Sequence, residues 1–197
     1  MAIFITVVLL SGLFLFYYNR LKKENEKLKN RSIDHFKVKD EMKLSLLLGL
    51  YHRYKKEEDP EKEENPLQFE RFVAKVMERY YSGETYVTRG SGDYGVDIEH
   101  SREDGLYLGQ VKCYAPNHPV NYEPIAIIHS QMVKQGAAGG FVVTTSQFTS
   151  NAIGYAENLD IQLIDGITLV NMWISGAEKQ YKHYLELVND EQKDQSV

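Results

Sequence analysis

The sequence predicts an α/β protein: a mixed β-sheet flanked by helices, preceded by an N-terminal transmembrane helix and a helical stalk. Three observations lead there. Met1 to Asn19 carries no charged side chain. Residues 20–56 hold 12 Lys/Arg against 5 Asp/Glu. Beyond them the apolar pattern switches between helical and alternating periods in the order α-β-β-β-α-β-α-β-α. Such an order implies a mixed sheet with helices on both faces. With 197 residues and 43% hydrophobic content, the chain is long enough for one good-sized core plus appendages.

The first element is the uncharged stretch. Ala2 to Tyr18 is almost wholly apolar, and Tyr17 and Tyr18 fall where an interfacial aromatic belt would sit. At about 1.5 Å per residue a helix over 1–19 reaches roughly 28 Å, close to the hydrocarbon thickness of a bilayer. Arg20, Lys22, Lys23, Lys27, Lys29 and Arg31 follow at once. This flank predicts a single-pass signal anchor in the cell membrane with everything after it in the cytoplasm. Residues 20–56 read as a basic helical stalk. Leu21, Leu28, His35 and Met42 recur every seven residues, but Asn25 and Ser32 weaken the seam. The apolar set from Phe36 to Tyr54 needs a partner surface: the next domain, another copy or the membrane. Residues 57–65, with 6 acidic residues and 1 basic, form a charged linker.

The following domain is expected over 66–175. Pro66 opens a helix after Asn65 as cap, Leu67, Phe69, Phe72, Val73, Val76, Met77 and Tyr80 give it helical spacing, and Gly83 ends it. Strands are expected near 84–89, 95–100 and 106–114, the last two joined by the turn Arg102-Glu103-Asp104-Gly105. A helix over 122–136 ends in a glycine-rich run. Then come a strand from Phe141 to Thr145, a helix capped by Thr149 or Ser150, a strand from Ile161 to Ile164 and a short helix through Trp173. Residues 176–197 read as a polar, helical C-terminal tail. The single cysteine, Cys113, excludes an internal disulfide and a cysteine-based zinc site. Residues 66–175 hold 7 basic residues against 12 acidic, which argues against a generic polyphosphate-binding surface there.

Chemistry concentrates in Gly92-Asp93-Tyr94-Gly95-Val96-Asp97-Ile98 and in Gln110-Val111-Lys112. A hairpin of this length lays Asp97 beside Gln110 and Lys112, and residues two apart on a strand share a face. Magnesium favours hard oxygen donors, usually one or two carboxylates completed by water and substrate phosphate. Asp97 is the first candidate ligand and Glu70, early in the first domain helix, the second. The Val111 carbonyl supplies a neutral oxygen, and Gln110 either orients water or ligates through its amide. Lys112 serves the attacking water or the charge building on a phosphate. Asp93 reads as a turn-former and, second, as a residue near the metal. Gln131 and Lys134 are candidates to reach the site from the next helix, and Thr144-Thr145-Ser146 reads first as a strand end and second as a phosphate contact. The six histidines show no paired-ligand spacing, and His118 reads as loop.

The spacing GxGDxGVD followed by QxK resembles the Mrr-like branch of the PD-(D/E)xK nucleases, a family of restriction endonucleases. The likeness runs from about Leu67 to Trp173 and takes in Phe69-Glu70, Gly140-Phe141-Val142-Val143-Thr144-Thr145, Phe148-Thr149 and Leu163-Ile164-Asp165-Gly166. It implies a PD-(D/E)xK-type fold and a magnesium-dependent endodeoxyribonuclease, with manganese as a substitute. It also implies double-stranded DNA, in some members modified, as partner. By this similarity Asp97 and Glu70 correspond to metal-binding acids, Gln110 to a variant of the usual acidic position, and Lys112 to the catalytic lysine. Such nucleases often act as homodimers, for which 36–54 is a candidate contact. The rival expectation keeps the fold and drops the catalysis: a membrane-tethered DNA-binding or assembly module.

Overall fold

The computed structural model describes residues 1–55, 67–88 and 94–194, with the side chains of 2–11, 34–35 and 187–194 outside the description. The whole of the expected linker, with the expected cap Asn65 and helix opener Pro66, the loop residue Asp93 and the last three residues therefore lie outside it. Two compact units emerge, Met1–Met42 and Lys43–Val197.

The first unit is the larger part of one helix, α1 (Ala2–Tyr54). Its abundance of Leu, Lys and Glu suits a helix. Leu21, Leu28, Phe36, Val38 and Met42 are exposed along it. The expectation of a transmembrane anchor over 1–19 is corrected: among the described residues no helix is long and apolar enough to cross a membrane. At Arg20 the same helix continues into charged sequence. The membrane contact inferred from that anchor is withdrawn with it.

The second unit starts on the last turns of α1. Leu47 and Leu50 are buried, and the Tyr54 ring lies 5.3 Å from Phe69 and 5.8 Å from Phe72. Of the three surfaces offered to the apolar set, the following domain takes its last turns, at Leu46, Leu47, Leu50 and Tyr54. Helix α2 (Leu67–Tyr81) then buries Phe69, Val73, Ala74, Val76 and Met77, the stripe expected from its spacing.

Five strands form one sheet in the order β1 (Glu84–Val87), β2 (Ile98–Arg102), β3 (Gly105–Lys112), β4 (Gly139–Thr144) and β5 (Ile161–Ile164). The first two pairings are antiparallel and the last two parallel, so the sheet is mixed. Parallel pairs need crossovers, supplied by α3 (Glu123–Gln135) and α4 (Ser150–Ala156). Thr149 caps α4, its hydroxyl oxygen accepting from the Ala152 N–H at 3.1 Å.

The closing helix α5 (Gly166–Asp194) is longer than the short helix expected. Gly176 does not end it. A side chain there would stand 3.0 Å from the Arg79 Cβ, so this glycine marks a close approach of α5 to α2.

Alternation along the strands separates two cores. Ile98, Val111, Phe141 and Val143 pack with α2, α5 and the end of α1 on one face. Leu108 and Val142 pack with Ile125, Ile128 and Met132 of α3 on the other. Gln110 and Lys112 share the parity of Leu108 and so belong to the α3 face.

Candidate active site

The β2–β3 hairpin closes tightly. Arg102 pairs with Gly105 across a turn made by Glu103 and Asp104, as the sequence suggested. The ladder ends with Ile98 opposite Gly109, and the Asp97 N–H donates to that same Gly109 carbonyl, so Asp97 stands beside the 109–111 stretch of β3. Asp97 stands just ahead of β2, because the strand starts three residues later than expected. Tyr94 and Gly95 both adopt positive φ, 52° and 83°, and turn the chain before it. A side chain at Gly95 would meet Ile127 Cγ2 at 2.7 Å and Gln110 Nε2 at 3.2 Å, so this turn closes against both only with glycine.

Three backbone groups then fix Asp97. Its N–H donates to the Gly109 carbonyl at 2.8 Å and its carbonyl accepts from the Thr88 N–H at 3.0 Å. The Val111 N–H donates to its carboxylate Oδ2 at 2.7 Å. Carbonyls two residues apart on a strand point the same way, so that of Val111 follows that of Gly109 toward the Asp97 side. The carboxylate and this carbonyl are therefore neighbours.

Gln110 is 5% exposed, and its Oε1 is a buried acceptor with no hydrogen-bond partner among the described residues. Gln110 and half-buried Lys112 line one cavity of about 330 Å³ together with Tyr114, His118, Asn121 and Glu123. Its rim is held from β4: the Thr145 hydroxyl donates to the Tyr114 carbonyl at 2.7 Å and the Ser146 hydroxyl to the Pro116 carbonyl at 3.2 Å. Thr144 Oγ1 accepts from the Ser146 N–H. The buried Thr144-Thr145-Ser146 run thus anchors the loop that follows Lys112. Thr145 Oγ1 also lies 3.8 Å from Cys113 Sγ, and burial raises the thiol's pKa.

Of the residues singled out in the sequence, Asp97, Gln110, Val111 and Lys112 come together. Glu70 is half-buried in the first turn of α2, whose core lies on the opposite face of the sheet from Gln110 and Lys112. Gln131 is buried and accepts a long hydrogen bond from Gln135, whereas the Lys134 ammonium sits 4.4 Å from the centre of the Tyr94 ring. Sequence reasoning did not reach Glu123, Tyr114 or Asn121. An acid in a first helical turn is ordinary, and only the fold of the 113–123 loop brings these residues over Lys112.

The other end of the hairpin carries a second polar cluster. His100 is fully buried; its Nε2 donates to the Ser82 carbonyl at 2.7 Å and its Nδ1 accepts from Arg102 Nε at 3.1 Å. Desolvation lowers its pKa below the ordinary 6.5. The Arg102 guanidinium lies 3.9 Å from the ring centres of both Tyr81 and Tyr107. The Tyr107 hydroxyl donates to Asp104 at 2.7 Å.

A mixed five-stranded sheet with a carboxylate, an amide and an ammonium gathered near the open end of its central hairpin defines the restriction-endonuclease-like class of folds. The family model of the Mrr catalytic domain, described as a restriction endonuclease, matches residues 62–173, more than half of the chain. The chain belongs to that family. Among solved structures it is similar to the DNA modification-dependent restriction endonuclease AspBHI, at 19% identity and a TM-score of 0.55, covering 76% of this chain and 40% of that one. It is also similar to MspJI restriction endonuclease, solved in complex with a 27-mer oligonucleotide, at 25% identity and a TM-score of 0.51, covering 66% of this chain and 30% of that one. The chain thus spans less than half the length of either relative. No curated protein sequence matches it.

Restriction endonuclease folds generally use divalent metal ions, and the donor set here fits one. Among the described residues no cluster of three His, Cys, Asp or Glu side chains exists. Magnesium does not require such a cluster, since it binds through one or two carboxylates with water and phosphate completing the shell. The Asp97 carboxylate, the Val111 carbonyl and the unpartnered Gln110 Oε1 are hard oxygen donors near one strand end.

Proposed function

We propose that this chain is a metal-dependent endonuclease that hydrolyses phosphodiester bonds of double-stranded DNA. One observation carries the reading: Asp97 is clamped to the Val111 N–H, and the preceding residue, Gln110, holds a buried amide oxygen with no hydrogen-bond partner among the described residues. An unsatisfied buried acceptor costs about 1–3 kcal/mol. A fold keeps such a group where a ligand satisfies it.

In this reading Asp97, Val111 and Gln110 would hold magnesium, with manganese as substitute. An ion held there would supply Lewis-acid polarisation of a phosphoryl group and a lowered pKa for bound water. The Val111 N–H fixes the Asp97 carboxylate in one orientation. Lys112, on the Gln110 face, orients the attacking water and offsets the negative charge that grows on the phosphate. The Tyr114–His118 loop, fastened to β4, walls the space above Lys112. AspBHI is described as modification-dependent, and we extend modified DNA to this chain as its proposed substrate.

The experiment incubates the protein with methylated and unmethylated supercoiled plasmid, with and without magnesium. Nicking and linearisation should require magnesium, and Asp97→Ala or Lys112→Ala should lower the rate by about a hundredfold to ten-thousandfold. Cleavage by either variant at the parent rate would overturn the assignment.

A further inference from the structure

We infer that Glu123 supplies a second carboxylate to the cation centre from the α3 side of the sheet, an assignment that rests on the nuclease reading above. Glutamine at position 110 leaves the β2–β3 end of the site with the charge of Asp97 alone. Glu123 lines the cavity shared by Gln110 and Lys112, and it is the one acidic side chain among the described residues that do so.

Its position is fixed by local structure. The Asn121 Oδ1 accepts from the Glu123 N–H at 3.1 Å, and Pro124 follows at the start of α3. A proline there pre-sets the backbone angle of the first turn, so Glu123 is carried on a rigid helix start rather than on a free loop. A carboxylate in that turn is also favoured by the helix dipole.

The second observation is the Gln110 side chain. It is buried, it lines the same space, and its Oε1 lacks a partner. A cation between this oxygen and the Glu123 carboxylate satisfies the orphaned acceptor. It also restores the negative charge that an acid at position 110 would have provided. The site then draws its carboxylates from two elements, Asp97 ahead of β2 and Glu123 at the start of α3, with Lys112 between them in sequence and on the same wall as Gln110.

The test is a calorimetric titration of manganese into the full chain and into Glu123→Gln, Asp97→Asn and Glu70→Gln, with circular dichroism melting of each. Glu123 is exposed, so its isosteric amide keeps the fold and the melting temperature. Glu123→Gln should weaken manganese binding roughly tenfold, and Asp97→Asn should abolish it. Wild-type affinity in Glu123→Gln, with binding lost in Asp97→Asn, overturns this inference and leaves the nuclease reading standing. Wild-type affinity in Asp97→Asn overturns both. A tenfold loss in Glu70→Gln with none in Glu123→Gln returns the second carboxylate to α2.

Discussion

The amide oxygen of Gln110 is buried without a hydrogen-bond partner among the described residues, and a buried acceptor left unpaired costs about 1–3 kcal/mol. Methionine has a similar length and no such requirement. Gln110→Met should therefore raise the melting temperature by a few degrees, at about 2–4 °C per kcal/mol for a chain of this size, while lowering the cleavage rate. Calorimetric melting and plasmid nicking on the same preparation check both signs; a drop in melting temperature contradicts the account. That the hairpin brings Asp97 to the 109–111 stretch of β3 was legible in the sequence, because hairpin length is a local rule. The unpaired oxygen was not. Whether a buried amide finds a partner depends on Gly95, Ile127 and the surrounding loop, which meet it only after folding.

At the level of elements, apolar periodicity located α2 and α3, and β-branched runs between glycines located β4 and β5. Two departures have physical causes. The late start of β2 follows from positive φ at Tyr94 and Gly95, which no hydropathy pattern displays. The length of α5 follows from Gly176, which resembles a terminator in sequence but serves as a contact point with Arg79. The end of α1 is a third case: its leucines offered three partners, and packing selected one. Leu47 is 6% exposed within the second unit, whereas Leu28 in the first is 57% exposed. Leu47→Ala should cost about 2–5 kcal/mol of unfolding free energy through lost burial and a residual cavity, and Leu28→Ala less than about 0.5 kcal/mol. Urea denaturation of the two variants measures the contrast, and equal losses would contradict the packing described.

For the molecule as a whole, His100 links stability to pH. Its Nδ1 accepts a hydrogen bond from Arg102, an arrangement open only to the neutral ring. Its folded pKa is lowered by desolvation, so the unfolded chain takes up this proton first, near pH 6.5. The contribution is fully present above that pH and is lost as pH falls from about 6.5 toward the folded value. Urea midpoints at pH 7.5 and 5.5 should fall more for the wild type than for His100→Gln; an equal fall in both would refute the assignment. The neighbouring Arg102 has a different consequence. Stacked between the Tyr81 and Tyr107 rings, it joins the hairpin tip to α2 through a cation–π contact in a partly desolvated place, where dissolved ions screen poorly. Attraction to a phosphate backbone weakens steeply as salt is added. Brine strong enough to abolish an attraction of that kind should therefore leave the hairpin, and with it the carboxylate at its open end, where folding put them.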